Sequence, residues 1–389
     1  MKRVVGFSSI PIRNAASGGA ERIENLYRHL PDRYQRTVAT LGGAKTGRGN
    51  ESVTPHFTIQ AYPSALQTAF YYADRFRIAP FFEVHKLHAK VRSIPRALLR
   101  EAPDLVQFDS LWLTPWASEV PRGVPVVYAS HNYETEWYQG QLRRFPFSKS
   151  HLRSLHALER RAVARADLVI AVTDEDRDKM IAELGGRADT IRVIPNGFDD
   201  EAIRPADEKT KRRARRALGL PEDRTIALFS GSNVVPNQDA VESIVHVMAP
   251  KASEDVLFLV AGSIGEAFRG FQRDNVVFTG RMPALTACFQ AADVGLNPIR
   301  LGSGSNIKVL QYLGAGLPVI STDFGMRGFE ELVPYVAVKR IDLFHRHIGK
   351  DLVLATGAVD RVREAYSWRG GAAKLADAYD ALLGVNGNC

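Results

Sequence analysis

The sequence predicts an α/β protein made of two Rossmann-like domains. Short apolar runs rich in valine and isoleucine alternate with helical patterns from one end of the 389-residue chain to the other. This alternation is the signature of parallel sheets wound with helices. A polar and strongly basic stretch interrupts it near the middle, and the length suits two domains of ordinary size. We therefore expect two such domains in tandem.

Eleven apolar runs account for the predicted strands. In the first half they are Val4–Ser9, Thr37–Leu41, Leu105–Ser110, Val124–Ser130, Leu168–Thr173 and Arg192–Pro195. In the second half they are Thr225–Gly231, Val256–Gly262, Val276–Gly280, Val294–Pro298 and Pro318–Thr322. Each run is short and bounded by turn residues, as in sheets that are covered by helices on both faces.

The break between the halves falls within residues 196–221. Asn196-Gly197 is a strong turn signal, and the basic run from Lys209 to Arg216 predicts a solvent-facing linker helix. We predict a first domain over residues 1–203 and a second over residues 204–365. A terminal helical stretch over residues 366–389 is expected to return to the first domain.

Composition excludes several classes of protein. The chain is 45% hydrophobic and 24% charged, which describes a globular chain and not a disordered one. No apolar run approaches the length of a membrane span. The short apolar run at the N-terminus suits a first strand better than a signal peptide. Two cysteines, Cys288 and Cys389, cannot form a disulfide framework or a cysteine metal site, so we expect a reducing cytoplasm.

The net charge of +8 is partly concentrated in residues 65–100, where basic residues are interleaved with aromatic ones. Such a stretch suits nucleic acid, an anionic membrane surface or a phosphate-bearing acceptor. Nucleic acid ranks lowest, because no helix-turn-helix, zinc-finger or RNA-binding signature accompanies the charge. The alternative is a pair of amphipathic helices with core aromatics and solvated charges.

The most informative segment runs from Gly302 to Thr322. A loop of glycine and serine precedes a helical pattern, and Gly314-Ala-Gly316 then precedes a buried strand pattern. Loop amides together with a helix N-terminus suit an anion. Lys308 is expected one turn into the helix, where its ammonium reaches the same site. The segment predicts a diphosphate site, with an ordinary tight turn before a packed helix as the alternative.

Four further motifs accompany this segment in a fixed order. They are Gly18-Gly-Ala-Glu21, Val193-Ile-Pro-Asn-Gly197, Phe229-Ser-Gly-Ser232 and Val276-Val-Phe-Thr-Gly-Arg-Met-Pro283. Taken together, the motifs resemble those of retaining glycosyltransferases of the two-Rossmann (GT-B) architecture, and more narrowly those of glycosyltransferase family 4. The resemblance covers nearly the whole chain. It implies two facing domains with a nucleotide sugar bound in the cleft between them, consistent with ligand binding at the carboxyl ends of parallel strands.

The resemblance also implies roles for particular residues. His131 and Lys308 are the expected catalytic residues: His131 orients or polarises the sugar, and Lys308 is the principal cation on the diphosphate. Arg281 is expected near the base. The full set of expected donor-binding residues is Gly18, Gly19, Ser232, Asn237, Arg281, Ser303, Gly304, Ser305, Asn306 and Gln311.

The chain departs from the family pattern at two pairs of positions. Ser232 and Asn237 stand where the family usually carries an arginine and a lysine. Ser303 and Gln311 stand where it has two glutamates eight positions apart. Gln311 can still accept hydrogen bonds from ribose hydroxyls, but without charge assistance. Asn237 also suits the N-cap of a helix that begins at Gln238.

An Asp-x-Asp motif follows the strand that we expect at Leu168–Thr173. In another class of glycosyltransferase this motif holds a metal ion. Here it lies at the start of a helix, so we interpret Thr173 with Asp176 as an N-cap with acids at the positive helix end. We expect no metal and no cofactor apart from the nucleotide-sugar substrate.

The leading hypothesis is a cytoplasmic, metal-independent, retaining glycosyltransferase, soluble or peripheral at the inner face of a membrane. Its acceptor would be a saccharide, a lipid-linked saccharide or a small molecule, and the aromatic and basic stretch leans towards a membrane surface. One alternative is a nucleotide-sugar hydrolase or epimerase. Another is a catalytically silent GT-B partner subunit, which the neutral residues at the four departing positions favour.

Overall fold

The structure, a computed structural model, describes residues 1–12, 17–43, 47–302, 304–349 and 352–385. Ser303 and Cys389, both discussed above, lie outside the described residues. The chain divides into two compact units. Unit 1 comprises residues 1–195 and 371–389, and unit 2 comprises residues 196–370. Each unit contains one sheet with helices packed on it.

The strands of unit 1 form a single eight-stranded sheet in the order β3-β4-β2-β1-β5-β6-β7-β8. All neighbours pair in parallel except β3 and β4, which form an antiparallel edge. The strands are β1 (Lys2–Ser8), β2 (Tyr34–Gly42), β3 (Gly49–Thr54), β4 (Phe57–Pro63), β5 (Leu105–Phe108), β6 (Val126–Ala129), β7 (Leu168–Ala171) and β8 (Ile191–Val193).

Unit 2 contains a six-stranded parallel sheet in the order β11-β10-β9-β12-β13-β14. The strand order reverses beside β9, so β9 and β12 flank the switch point where open α/β sheets bind ligands. The strands are β9 (Thr225–Ser230), β10 (Val256–Ala261), β11 (Val276–Gly280), β12 (Val294–Asn297), β13 (Val319–Ser321) and β14 (Ala337–Val338).

Helices or short 3-10 segments lie between most of the consecutive strands. The α-helices are α1 (Gly18–His29), α2 (Ala65–Arg75), α3 (His85–His88), α4 (Ser93–Leu98), α5 (Glu134–Gln141), α6 (Ser148–Arg165), α7 (Asp174–Leu184), α8 (Glu208–Ala217), α9 (Val235–Ser243), α10 (Thr286–Ala291), α11 (Ile307–Gly314), α12 (Phe344–His347), α13 (Ala358–Tyr366) and α14 (Trp368–Leu383). A π-helical turn at Ile244–Met248 continues α9. Short 3-10 segments lie at Phe81–Val84, Leu111–Glu119, Leu142–Arg144, Ser263–Phe268, Phe324–Met326, Glu330–Tyr335 and Ile341–Leu343.

The central strands of each sheet are buried on both faces, as their apolar sequences require. The core of unit 1 contains stacked aromatic residues such as Phe7 and Phe108, whose ring centroids are 5.4 Å apart. In unit 2, Tyr312 of α11 packs against Gly295 of β12, and a Cβ at Gly295 would lie 2.4 Å from the Tyr312 ring. Only glycine leaves room for that ring, which brings the α11 backbone close to the sheet.

All eleven predicted strands are present, with ends that differ from the prediction by at most three residues. Three strands were missed. β3 has the polar sequence Gly-Asn-Glu-Ser-Val-Thr and an exposed edge, so it lacks the apolar run that marks the other strands. β4 alternates in burial, and β14 has only two residues.

Three local predictions can be compared with the helix starts. Thr173 accepts a hydrogen bond from the amide of Asp176 at 3.0 Å, so the predicted N-cap of α7 is confirmed. The predicted N-cap at Asn237 is wrong, because α9 begins at Val235 and Asn237 lies within its first turn. Lys308 is the second residue of α11, nearer to the helix start than the expected full turn.

The basic helix α8 is present, but it is not simply a solvent-facing linker. Arg215 is buried and pairs with Asp293 at 2.5 Å, while Lys211 pairs with the second oxygen of Asp293 at 2.8 Å. The helix is therefore anchored within unit 2 by a shared carboxylate. Among the helices of the described ranges, none combines the length and apolar character that crossing a membrane requires.

Candidate functional site

Among the described residues of unit 2, the expected donor-binding residues other than Arg281 gather at the carboxyl edge of the sheet, around the start of α11. Lys308 is half-buried, and its Nζ lies 3.3 Å from Oδ1 of Asn237 and 5.2 Å from the ring centroid of Phe229. Burial lowers the pKa of the Lys308 ammonium to about 8. No carboxylate of the described residues pairs with it. The site therefore holds a partly desolvated cation without an anionic partner, as a diphosphate site requires.

Asn237 fixes the loop that follows β9 and does not cap α9. Its Nδ2 donates to the carbonyl of Ser232 at 2.8 Å, while its Oδ1 accepts from Lys308. A Cβ at Gly231 would lie 2.7 Å from Nδ2 of Asn237, so the side chain packs directly on the loop backbone. The structure thus brings Ser232, Asn237 and Lys308 together, as the sequence predicts, but through a different role for Asn237.

The loop before α11 turns on two glycines with positive φ, Gly302 at 124° and Gly304 at 70°. Such angles favour glycine because a Cβ would be strained there. Oγ of Ser305 accepts from Nδ2 of Asn196 at 3.0 Å, and Nδ2 of Asn306 donates to the carbonyl of Gly325 at 3.1 Å. The loop is therefore held in place from both sides, while Ser303 lies outside the described residues.

Buried Asn297 at the end of β12 supports this loop from below. Its Nδ2 donates to the same Gly325 carbonyl at 2.8 Å and to Oγ of Ser321 at 3.0 Å. A Cβ at Gly325 would lie 2.5 Å from both of these side-chain atoms. The sequence predicted a strand end here, but nothing in the pattern marks Asn297 as a support for Asn306.

Gln311 lies three residues after Lys308 and so occupies the same face of α11. The helix buries Val309, Leu310, Tyr312 and Leu313, which leaves Lys308 and Gln311 on its half-buried side. Tyr312 is itself fixed, because its hydroxyl accepts from the amide of Ser230 at 2.8 Å. The two polar side chains are therefore presented together by a rigid helix.

Arg281 follows Gly280 at the end of β11 and is the most exposed of the described side chains that we expect to bind the donor in unit 2. It lies 3.8 Å from a carboxylate oxygen of Glu266, with 66% of its side chain exposed. No hydrogen bond or ion pair in the described part of unit 2 joins it to Lys308 or Gln311. Its role towards the base stays a prediction.

Unit 1 brings His131 to the start of α1. A Cβ at Gly19 would lie 3.8 Å from Nδ1 of His131, so Gly19 borders the imidazole, and Gly18 precedes it as the first residue of α1. The side chain of Ser17 caps α1 by accepting from the amide of Ala20. The amides at the N-terminus of this twelve-residue helix therefore lie beside the imidazole.

The imidazole of His131 has one ring nitrogen engaged and one without a partner. Its Nε2 lies 2.8 Å from the carbonyl of Asp109, which makes Nε2 the donor, while buried Nδ1 has no partner among the described residues. Burial and the charge of Arg22 lower the pKa of His131 to about 4. The imidazole is therefore neutral at physiological pH, with Nδ1 ready to accept a hydrogen bond.

Sequence models of two families match the chain. Glycosyltransferase Family 4 matches residues 16–202, which include Gly18, Gly19 and His131. Glycosyl transferases group 1 matches residues 224–343, which include Lys308 and the loop before α11. The chain belongs to glycosyltransferase family 4. The family that the motifs resemble is thereby confirmed.

Solved structures share the fold of this family 4 chain. Sucrose-phosphate synthase from Thermosynechococcus elongatus matches with a TM-score of 0.77 at 16% identity, over 99% of this chain and all of that one. HepE from Anabaena in complex with UDP-glucose gives 0.68 at 16% identity, over 98% and 100%. The catalytic domain of Starch Synthase IV from Arabidopsis thaliana, bound to ADP and acarbose, gives 0.68 at 14%, over 98% and 99%. At such identities the likeness shows the fold, and the predicted pair of Rossmann-like domains of GT-B type is confirmed.

Curated relatives match shorter parts of the family 4 chain. D-inositol 3-phosphate glycosyltransferase from Streptomyces bingchenggensis is 35% identical over 97 residues, which is 25% of this chain and 20% of that protein. The enzyme of the same name from Acidothermus cellulolyticus is 28% identical over 187 residues, 42% of this chain and 40% of that one. The matched segments thus span less than half the length of these relatives.

Two buried acids that support His131 were not predicted from the sequence. Asp109 follows β5 and accepts from Tyr27 at 3.0 Å and from Gln107 at 2.6 Å, while burial raises its pKa to about 7. Glu159 accepts from the amides of Glu134 and Thr135 at 2.8 and 3.0 Å. Glu159 thereby fixes the end of the loop between β6 and α5, which carries His131. Its position among the apolar residues of the buried face of α6 is the one sequence signal that could have indicated it.

Proposed function

We propose that this chain is a retaining, metal-independent glycosyltransferase of the hexosyltransferase type. It would transfer a sugar from a nucleoside-diphosphate donor to a saccharide, a lipid-linked saccharide or a small-molecule acceptor. The observation that carries the proposal is the half-buried Lys308, which lies beside a glycine-rich loop and has no anionic partner among the described residues. A diphosphate supplies the negative charge that this arrangement lacks.

The chemistry that this geometry supports is stabilisation of the leaving group. When the bond between the sugar and the diphosphate breaks, negative charge grows on the diphosphate oxygens. Lys308 can donate to those oxygens, while Asn237 holds its ammonium and the loop at Gly304–Asn306 offers backbone groups. The charge is met by a cation that is already fixed in place, so little reorganisation is needed during the reaction.

The sugar end of the donor would be oriented by unit 1. Neutral His131 can accept a hydrogen bond at Nδ1, because its Nε2 is already donating to the carbonyl of Asp109. A sugar hydroxyl is a suitable donor for that nitrogen. We assign no covalent nucleophile, and we propose that the acceptor attacks from the same face that the diphosphate leaves, which retains the anomeric configuration.

Bound nucleotides in related folds support the choice of donor. The Anabaena HepE structures contain UDP, UDP with glucose, or UDP-glucose, and the Arabidopsis Starch Synthase IV structure contains ADP and acarbose. We propose the same class of donor and a saccharide-bearing acceptor here. The base and the sugar are left for the assay to identify.

The test is release of free nucleoside diphosphate from a panel of UDP-, GDP-, ADP- and dTDP-sugars. We expect slow release from one donor, reduced by about 10- to 150-fold in Lys308→Ala, since a hydrogen bond to a charged group contributes about 1.5–3 kcal/mol. Lys251→Ala, an exposed lysine of the same unit, is the matched control and should release normally. Release that is unchanged in Lys308→Ala contradicts the proposal.

Two further measurements test the finer parts of the proposal. Turnover should be unchanged by EDTA, because the positive charge comes from Lys308. Once an acceptor is found, NMR of the product should give the anomeric configuration of the donor. Loss of turnover on chelation, or an inverted product, would each overturn the corresponding part.

A silent partner subunit is the second candidate, favoured by the neutral side chains of Asn237 and Gln311 at positions where the family carries charges. It predicts tight binding of a nucleotide sugar and no turnover with any acceptor. Calorimetric titration of the same donor panel separates this case from an inactive preparation, since the latter binds nothing.

For location, we propose a cytoplasmic protein with peripheral contact at the inner face of a membrane.

A further inference from the structure

Unit 1 exposes a group of large apolar side chains at the end of α2. The exposed fractions are 58% for Tyr71, 49% for Tyr72, 67% for Phe76 and 69% for Ile78. Other aromatics of the same region, such as Phe82, are fully buried in the core. The sequence could not divide the aromatic residues of this stretch between core and surface, but the structure does.

Backbone hydrogen bonds hold the exposed turn in place. The amide of Phe76 donates to the carbonyl of Tyr72 at 2.9 Å, and the amide of Ile78 donates to the carbonyl of Ala73 at 2.8 Å. Between them Arg77 has a φ of 60°, a left-handed conformation that few residues other than glycine adopt. Phe76 and Ile78 are therefore exposed by an ordered turn, at some cost in backbone strain.

A second segment adds another exposed aromatic residue nearby. Phe147 has 81% of its surface exposed and a φ of 56°, and its carbonyl accepts the amides of Ser150 and His151 at the start of α6. Arg144, three residues earlier, pairs with Asp74 of α2 at 2.6 Å. This ion pair links the segment of Phe147 to α2.

Unpaired basic residues accompany the exposed apolar ones. Arg75 and Arg77 on the first segment, and Arg143, Lys149 and Arg153 on the second, are all exposed. None of the five has an ion pair with a described residue, whereas Asp74 is already engaged by Arg144 and by the amide of Phe81 at 2.9 Å. We call these two segments, residues 71–78 and 143–153, the aromatic–basic surface.

We infer that the aromatic–basic surface docks on an anionic lipid bilayer. Exposed Phe, Tyr and Ile side chains can enter the boundary between headgroups and acyl chains, while unpaired arginine and lysine contact lipid phosphates. Charge complementarity selects this partner, because the surface carries no free carboxylate that a cationic partner would need. The inference deepens the proposed function, since it places the acceptor among lipid-linked saccharides at a membrane.

The experiment is co-sedimentation of the full chain with vesicles of two compositions. One contains phosphatidylcholine alone, and the other contains about one third phosphatidylglycerol. We expect binding to the anionic vesicles that is at least about tenfold tighter, and that weakens when salt is raised from about 0.1 M to about 0.5 M.

Paired substitutions separate the apolar and the charged contributions. Phe76→Ser with Phe147→Ser, and separately Arg75→Glu with Arg143→Glu, should each weaken binding to anionic vesicles by about tenfold or more. All four side chains are exposed, so the fold should be unaffected, which circular dichroism checks. The matched controls lie in unit 2 and should bind normally: Val353→Ser removes an exposed apolar side chain, and Arg212→Glu with Arg213→Glu reverses the charge of two exposed residues of α8.

Four outcomes would overturn the inference. Three of them concern binding: the chain does not bind anionic vesicles, it binds neutral vesicles equally well, or the surface variants bind as the wild type does. The fourth is a wild-type dimer that dissociates in Phe76→Ser, which would assign the surface to a second copy of the chain. Failure here is distinct from failure of the proposed function. Lys308→Ala should still bind vesicles, and the surface variants should still release nucleoside diphosphate from a soluble nucleotide-sugar donor.

Discussion

The sharpest prediction concerns the pH at which Lys308, in the proposed diphosphate site, loses its charge. Burial lowers the pKa of Lys308 to about 8, so the ammonium deprotonates as pH rises through that value. A bound diphosphate favours the charged form and should hold the proton on. Nucleoside diphosphate affinity should therefore be constant below the pKa and fall above it.

The size of the effect follows from the protonated fraction. If only the charged lysine binds well, Kd increases by the factor 1 + 10^(pH − pKa), which is about tenfold between pH 7 and pH 9. The ligand adds little to this slope, because the last phosphate proton is lost near pH 6. An unperturbed lysine would give almost no change over the same range.

The assay is isothermal titration with the nucleoside diphosphate of the donor that the release panel identifies. Lys308→Arg is the control, since a guanidinium stays charged throughout and should remove the slope while keeping some affinity. Lys308→Met should bind about 10- to 150-fold more weakly at pH 7 and also lose the slope. A wild-type Kd that is constant from pH 7 to pH 9, or a slope that persists in Lys308→Arg, would refute the reasoning.

Three further predictions concern the neighbouring groups. Gln311→Glu should lower the Kd for the nucleoside diphosphate by about two- to tenfold, because it restores a charged acceptor for the ribose hydroxyls. Gln311→Ala should raise that Kd. Equal Kd values for the wild type and both variants would exclude the contact. His131→Ala should lower kcat by about tenfold or more. The shape of the kcat profile between about pH 5 and pH 8 should not change, because the pKa of His131 is about 4. An inflection near pH 6 that the wild type shows and the variant lacks would contradict this. Gly295→Ala should lower the free energy of unfolding in urea by about 1–3 kcal/mol, because its Cβ would meet the Tyr312 ring at 2.4 Å. Gly140→Ala on α5, which has open space around it, is the control and should not destabilise the protein. Equal unfolding midpoints for the two variants would argue against the close packing at Gly295.

The sequence was most informative where one local rule decides the structure. Apolar runs predicted every strand that is buried on both faces, and Thr173 with Asp176 predicted the start of α7. It was least informative at the polar edge strand β3, which is held by pairing with β4 and not by its own apolar residues. Asn237 shows the same limit: its type suits an N-cap, but contacts with Ser232 and Lys308 decide its role.

The site divides in a similar way. Motif order along the chain led to Gly18, Gly19, His131 and Lys308, and the structure places Gly19 beside the imidazole of His131 in unit 1. The supports of the imidazole were not predicted. Asp109 contacts His131 from 22 residues away in the sequence, and Glu159 contacts Glu134 and Thr135 from 25 and 24 residues away. A pattern of burial along one element carries no information about which distant carboxylate will reach it.

By itself, the sequence determined the two Rossmann-like domains, the family, and the cation and glycine-rich loop that we propose as a diphosphate site. Periodicity and short motifs encode these features, because they depend on neighbours within a few residues. Tertiary structure alone decided that His131 is neutral, that Lys308 is partly desolvated beside Asn237, and that Phe76 and Phe147 are exposed while Phe82 is buried. Protonation and exposure depend on what the rest of the fold packs against a side chain, and that is fixed only when distant segments meet.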